Sequence, residues 1–137
     1  MPHITEYDFK EEDVCKTEEE LFYYNNINTF YMYCDMVREK NTLIDEIREN
    51  NKTFGQITNK IAEYCEDNEV DKTYEEVHKV NNKIRLEILK QFTKQVKLEL
   101  KNINLYNLIK EIDKSIKTFE SVNDVYGFAE WHNRVFK

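Results

Sequence analysis

The sequence predicts an all-α fold, and three features of its composition and patterning support this. The chain of 137 residues has two glycines and one proline, and that proline is Pro2, so no missing backbone donor interrupts a helix further on. Apolar residues recur at three- and four-residue steps, which is typical of amphipathic helices. Four Ser/Thr-x-x-acid/amide patterns each precede such a stretch, as they do at helix N-termini. We therefore predict a single-domain bundle of about five helices, two of them long, at about 18–50 and 74–101.

An acidic N-terminal arm, residues 1–16, is predicted ahead of a bundle domain at 17–137. The arm has no helical periodicity, and it places Tyr7, Phe9 and Val14 among charged side chains. It also lacks the apolar core of a secretion signal and the Arg-rich character of a transit peptide. We expect an extended or partly disordered segment that lays its apolar side chains on the bundle.

The first long helix is predicted to begin at Thr17, where the sequence TEEE forms a capping box with Glu20 reaching back to the amide of Thr17. In the following stretch, Leu21–Val37, large side chains lie on every side of the cylinder and leave no polar face. Such a helix must be enclosed, either by its own chain or by another one. Beyond Val37 apolar residues continue on only one side of the predicted helix. The helix is expected to end near Asn50.

Two further helices are predicted in the middle of the chain. A short one begins at the capping box 53–56 and ends at the acidic run 66–71. A third capping box, 73–76, opens the second long helix, which is expected to end at Asn102 and Asn104 because asparagine favours caps over helix interiors. One side of this helix is predicted to face the core for about seven turns. The residues on that side are Val77, Val80, Ile84, Ile88, Leu89, Phe92, Val96, Leu100 and Ile103.

Two shorter helices complete the predicted bundle. Residues 105–119 show the cleanest amphipathic pattern in the chain. Ser121 and Asp124 then give a weaker start signal for a last helix. Gly127 within it costs roughly 1 kcal/mol relative to alanine, and we expect close packing of another backbone to explain its presence.

Aromatic side chains of the first and last predicted helices are the candidate partner-binding residues. Tyrosine buries its ring while its hydroxyl reaches water, and tyrosine and tryptophan are enriched where two proteins meet. The competing interpretation is that these rings form the core of the bundle. The candidates are Tyr23, Tyr24, Tyr31, Tyr33 and Trp131.

Charge is unevenly distributed along the chain. The net charge of −7 disfavours binding of nucleic acid through overall charge. However, residues 79–119 hold ten Lys or Arg against four acidic residues, a net charge of +6, which leaves −13 elsewhere. A row of lysines on the second long helix can follow phosphates. It is composed of Lys83, Lys90, Lys94, Lys97 and Lys101. The competing interpretations are a solvated helix face and an ion-pairing surface for the acidic runs, within one chain or across a homodimer.

No combination of residues predicts catalysis, a metal site or a cofactor. Glu75 and His78 have the Glu-x-x-His spacing of di-iron bundles, but such sites need the pair twice and it occurs once. His132 lies on an apolar face, and no motif ties a nucleophile to it. The cysteines lack close ligand spacing, and two glycines are too few to build a phosphate-binding loop. We therefore expect a protein that is not an enzyme.

The sequence predicts an intracellular, reducing compartment and a binding function. Cys15, Cys34 and Cys65 are odd in number and far apart, and no apolar run approaches membrane-spanning length. The abundance of Asn, Lys, Ile and Tyr is typical of AT-rich coding in a phage, virus or low-GC microbe. We predict a small non-catalytic module that binds another protein, as an inhibitor or adaptor, with homodimerisation as a second option. The alternative is a nucleic-acid-related role, either phosphate binding through the lysine row or acidic inhibition of a nucleic-acid enzyme.

Overall fold

All regular structure in the described part of the chain is α-helical. The computed structural model describes residues 15–67 and 82–136. The helices are α1 (Glu18–Asn25), α2 (Ile27–Asp67), α3 (Asn82–Val122) and α4 (Val125–Val135). The prediction of an all-α chain with two long helices is confirmed. The number of helices in the described ranges is four rather than five, because two predicted breaks are absent and an unpredicted break at Asn26 divides the first predicted helix.

The bounds of the long helices differ from the predicted ones. α2 continues through Asn50 without a break and includes the residues of the short helix that was predicted to begin at 53–56. α3 likewise passes through Asn102 and absorbs the fourth predicted helix. Conversely, the helix predicted from residue 18 stops early at Asn26. The side-chain amide of Asn26 donates to the carbonyl of Phe22 at 2.8 Å, and this local bond accompanies the end of α1.

Side chains cap the N-termini of α1 and α4. Thr17 Oγ1 accepts a hydrogen bond from the Glu20 amide at 3.2 Å, which confirms the predicted cap of α1. The Glu20 carboxylate reaches back to the amide of Lys16 at 3.0 Å rather than to that of Thr17. Asp124 caps α4 by accepting from the Gly127 amide at 2.9 Å. The capping box predicted at 73–76 lies outside the described residues.

The chain divides into two compact units. Unit 1 combines Met1–Asn41 with Lys110–Lys137, and unit 2 covers Thr42–Ile109. Both long helices contribute residues to each unit. The predicted division into an arm and one bundle domain stays a prediction, since residues 1–14 of that arm lie outside the described ranges.

Aromatic rings form the core of unit 1. Phe30 of α2 stacks on Phe128 of α4, with ring centroids 4.2 Å apart and planes 7° from parallel. Phe119 of α3 meets Phe30 edge-on at 5.3 Å. The buried cluster consists of Tyr23, Ile27, Phe30, Tyr31, Phe128 and Trp131. The helix predicted to be apolar all round is therefore enclosed, at least on this side, by α4 and the end of α3.

Unit 2 has a smaller core that includes polar side chains. Ile57, Ile61 and Cys65 of α2 pack with Ile88 of α3. Beside them, the Gln95 amide of α3 is buried and donates across to α2. Its two acceptors are the Thr58 hydroxyl at 2.7 Å and the Phe54 carbonyl at 3.2 Å. Because the buried amide is hydrogen-bonded, this polar contact is compatible with a packed interior.

Candidate functional site

All five aromatic candidates belong to unit 1, and three of them are buried in its core. Tyr23, Tyr31 and Trp131 are 6%, 3% and 2% exposed, while Tyr24 and Tyr33 are partly buried. The chain itself thus encloses the three most buried rings, because α4 folds back against α1 and α2. Their position gives no support to a role as partner-binding anchors.

Four of the five predicted lysines lie exposed on α3. These are Lys90, Lys94, Lys97 and Lys101, called the lysine row below. The side chain of Lys83 lies outside the described part of the structure. Among the described residues, none of the four makes an ion pair, whereas Lys40 and Lys117 in unit 1 both bind Asp113, at 2.6 Å and 2.9 Å. The lysine row is therefore not neutralised by the described residues of its own chain.

An exposed apolar stripe runs along the same helix. It consists of Phe92, Val96, Leu100 and Ile103, which are between 40% and 57% exposed. Steps of four, four and three residues place these side chains along one side of α3 over about 16 Å. The apolar periodicity of the sequence predicts that all four face the core, and for these residues that prediction is wrong. They are called the α3 stripe below.

Two glutamines explain why the α3 stripe is left outside. Gln91 and Gln95 are 7% and 8% exposed, and each directly precedes a stripe residue. Successive residues are about 100° apart around a helix, so the glutamine side and the stripe cannot both face α2. The hydrogen bonds of Gln95 to α2 hold the glutamine side of α3, rather than the stripe, against α2. The residue pattern alone carried no signal for this, because Ile88 and Leu105 on the glutamine side are as apolar as the stripe.

The borders of the α3 stripe are charged. Lys97 lies three residues before Leu100, so the two are neighbours on the helix surface, and this joins the lysine row to the stripe. On the other border Glu99 lies within three or four residues of Val96 and Ile103. The surface therefore combines an apolar centre with a polar rim that includes one cation and one anion, and the other three lysines lie beyond Lys97 on the same side of the rim. An apolar centre with a polar rim is the anatomy of a protein–protein contact.

Neither a metal centre nor a membrane span is found in the described ranges. No group of three His, Cys, Asp or Glu side chains there is arranged to hold a metal ion. Glu75 and His78, the pair with di-iron spacing, lie outside those ranges. Within the described ranges Cys15, Cys34 and Cys65 form no disulfide, and burial raises the pKa of Cys34. No described helix is both long and apolar enough to cross a membrane.

Comparison of the chain with protein-family models, with curated proteins and with solved structures finds no match.

Proposed function

We propose that this protein is a non-catalytic module that binds another protein through the α3 stripe. The observation that carries the proposal is the exposure of four large apolar side chains on one side of α3, while the buried Gln95 makes the contact to α2 from another side of the helix. Contiguous apolar surface with a polar rim marks interaction sites on soluble proteins. Each half-exposed side chain still has about 1 kcal/mol of burial free energy to gain from a partner.

The lysine row specifies the charge of the partner. Lys97 borders the stripe and the other three lysines lie beside Lys97, further from the stripe; none of the four ammonium groups binds a described residue. Rim charges of this kind steer association and select a partner of opposite sign. The matching surface is therefore an apolar patch, such as one side of an amphipathic helix, bordered by Asp and Glu.

A second copy of the chain is a poorer match for the same surface. The surface formed by the stripe and the lysine row has four lysines, and Glu99 is the one acidic residue at its border. Two copies placed face to face would therefore bring like charges together.

Nucleic acid is also a poorer match for this surface. The row contains lysine and no arginine, and Phe92 is the only aromatic side chain in the stripe, so stacking platforms for bases are scarce.

A pair of designed peptides tests the proposal. Both are amphipathic helices with the same leucine face; one has glutamates along the borders of that face and the other has lysines. Titration calorimetry with the full chain is expected to show binding of the glutamate peptide only. Equal binding of both peptides, or of neither, would overturn the proposed partner chemistry.

Matched variants locate the binding surface. Leu100→Ser combined with Ile103→Ser is expected to weaken binding of the glutamate peptide at least tenfold, with helix content checked by circular dichroism. Leu108→Ser is the control, since Leu108 is 52% exposed but lies outside the stripe. Two further results would replace the proposal: concentration-dependent dimerisation in light scattering that the double variant abolishes, or tighter binding of an oligonucleotide than of the peptide at low salt.

A further inference from the structure

A small cavity lies in unit 1, separate from the α3 stripe. Its volume is about 320 Å³, at the lower end of the range found for small-molecule sites. Four rings line it, from Tyr33, Tyr126, Phe128 and His132. The Glu120 carboxylate and the Cys34 thiol are also among the lining groups.

Packing and hydrogen bonds hold three of the four rings in place. Tyr33 stacks on Phe119 at 4.9 Å, and its hydroxyl donates to Glu120 Oε2 at 2.9 Å. Phe128 is stacked on a core ring of α2, and His132 Nε2 lies 2.7 Å from the hydroxyl of a core tyrosine. Tyr126 is different, because it is 83% exposed and free to adjust to a ligand. The cavity thus has a fixed aromatic lining and one adaptable ring.

Glu120 is the only side chain with a formal charge among the lining residues at neutral pH. Burial lowers the pKa of His132 and raises the pKa of Cys34, so both remain neutral. No lysine or arginine lines the cavity. The nearby Lys117 ammonium is bound to Asp113 at 2.9 Å. The lining is therefore aromatic with one negative charge.

We infer that this cavity binds a small organic cation of the trimethylammonium type. Aromatic faces attract cations through the ring quadrupole, and Tyr and Phe cages are the usual receptors for quaternary ammonium groups. The methyl groups of such a cation suit the apolar part of the lining. Its charge complements the carboxylate of Glu120. The inference is independent of the proposed function, because no residue of the α3 stripe or lysine row takes part.

Choline and its uncharged isostere 3,3-dimethylbutan-1-ol test the inference on the full chain. The two ligands have the same shape and differ in the charged nitrogen. Titration followed by NMR is expected to show choline binding roughly tenfold more tightly, equivalent to about 1.4 kcal/mol. Equal affinity of the two ligands would show an apolar pocket without cation selectivity and would overturn the inference, as would no binding of choline at 10 mM.

Variants connect choline binding to the cavity. Tyr126→Ala and Glu120→Gln are each expected to weaken choline binding several-fold, and Tyr126→Phe is expected to retain it because the ring is kept. Tyr106→Ala is the control, since it removes an exposed tyrosine in unit 2. Unchanged affinity in both Tyr126→Ala and Glu120→Gln would overturn the site. Sedimentation with phosphatidylcholine vesicles distinguishes a lipid headgroup from free choline as the source of the cation.

Discussion

The side-chain amide of Asn50 on α2 donates a hydrogen bond of 2.9 Å to Oδ1 of Asn102 on α3. Asn102 in turn donates to Oδ1 of Asn51 at 3.0 Å, so three amides link the two long helices within unit 2. The sequence pattern predicts helix ends at both positions, because asparagine side chains hydrogen-bond to nearby backbone groups and so compete with the hydrogen bonds of the helix. Here the amides bind the neighbouring helix instead, and both helices continue.

Removing Asn102 is expected to destabilise the fold. Asn102→Ala deletes both interhelical hydrogen bonds and leaves the partly buried amide of Asn50 without this acceptor, which costs about 1–2 kcal/mol. Urea denaturation followed by circular dichroism measures the change. Asn104→Ala is the control, because Asn104 is exposed on the same helix and alanine there favours the helix. Equal loss of stability in both variants would contradict a structural role for the amide network.

The two glycines are expected to respond to alanine in opposite directions. Gly55 lies inside α2 with no atom within 4 Å of an added Cβ, so Gly55→Ala is expected to stabilise by about 0.5–1 kcal/mol. At Gly127 an added Cβ would overlap Tyr23 Oη and the Asp124 carboxylate that caps α4. Gly127→Ala is therefore expected to destabilise by about 1–3 kcal/mol. The urea concentrations at half-unfolding of the two variants and the parent chain show whether each substitution stabilises or destabilises the fold.

Tyr33 is expected to make the fold sensitive to alkali. Burial, reinforced by the hydrogen bond to Glu120, raises the pKa of Tyr33 to about 12 from its usual 10.0. The unfolded chain therefore loses this proton first, and the stabilisation present below pH 10 is lost as pH rises toward 12.

Tyr33→Phe tests this contribution. The fall in the free energy of unfolding between pH 8 and pH 11 is expected to be smaller than in the parent chain. Some of the fall remains, because burial also raises the pKa of Tyr23. Tyr106→Phe removes an exposed hydroxyl and is the control. An identical pH profile for Tyr33→Phe and the parent chain would exclude the effect.

His132 is expected to reduce stability under mildly acidic conditions. Burial lowers the pKa of His132 below its ordinary value of 6.5, so the unfolded chain takes up a proton more readily. Stability is thus complete above pH 6.5 and decreases as pH falls below it. The pKa values of Glu20 and Asp113 are lowered from 4.5 and 3.8, so the stability that these two carboxylates contribute is lost only below this pH window.

His132→Gln tests this contribution, because glutamine keeps a polar side chain beside Tyr31 and its amide does not titrate. The difference in the free energy of unfolding between pH 7.5 and pH 5.5 is expected to shrink in this variant, as measured by urea denaturation. A difference as large as that of the parent chain would assign the acid sensitivity to other groups.

Local features were predictable from the sequence, and the cap of α1 shows why. Thr17 accepts the Glu20 amide only three residues away, so its role depends on no distant partner. The aromatic cluster was predictable in part. The pattern after residue 21 required an enclosure, but the rings of Phe119 and Phe128 that provide it come from about a hundred residues further along the chain.

The sequence by itself determined that the chain is helical, because scarce glycine and proline and a three- to four-residue apolar period act within single turns of helix. Only the tertiary structure decided which side of α3 meets α2. Periodicity defines the sides of a helix but not their neighbours, and the buried bonds of Gln95 settle that choice. The same contact leaves Leu100 and Ile103 exposed, since one turn of helix cannot present two sides to the same neighbour.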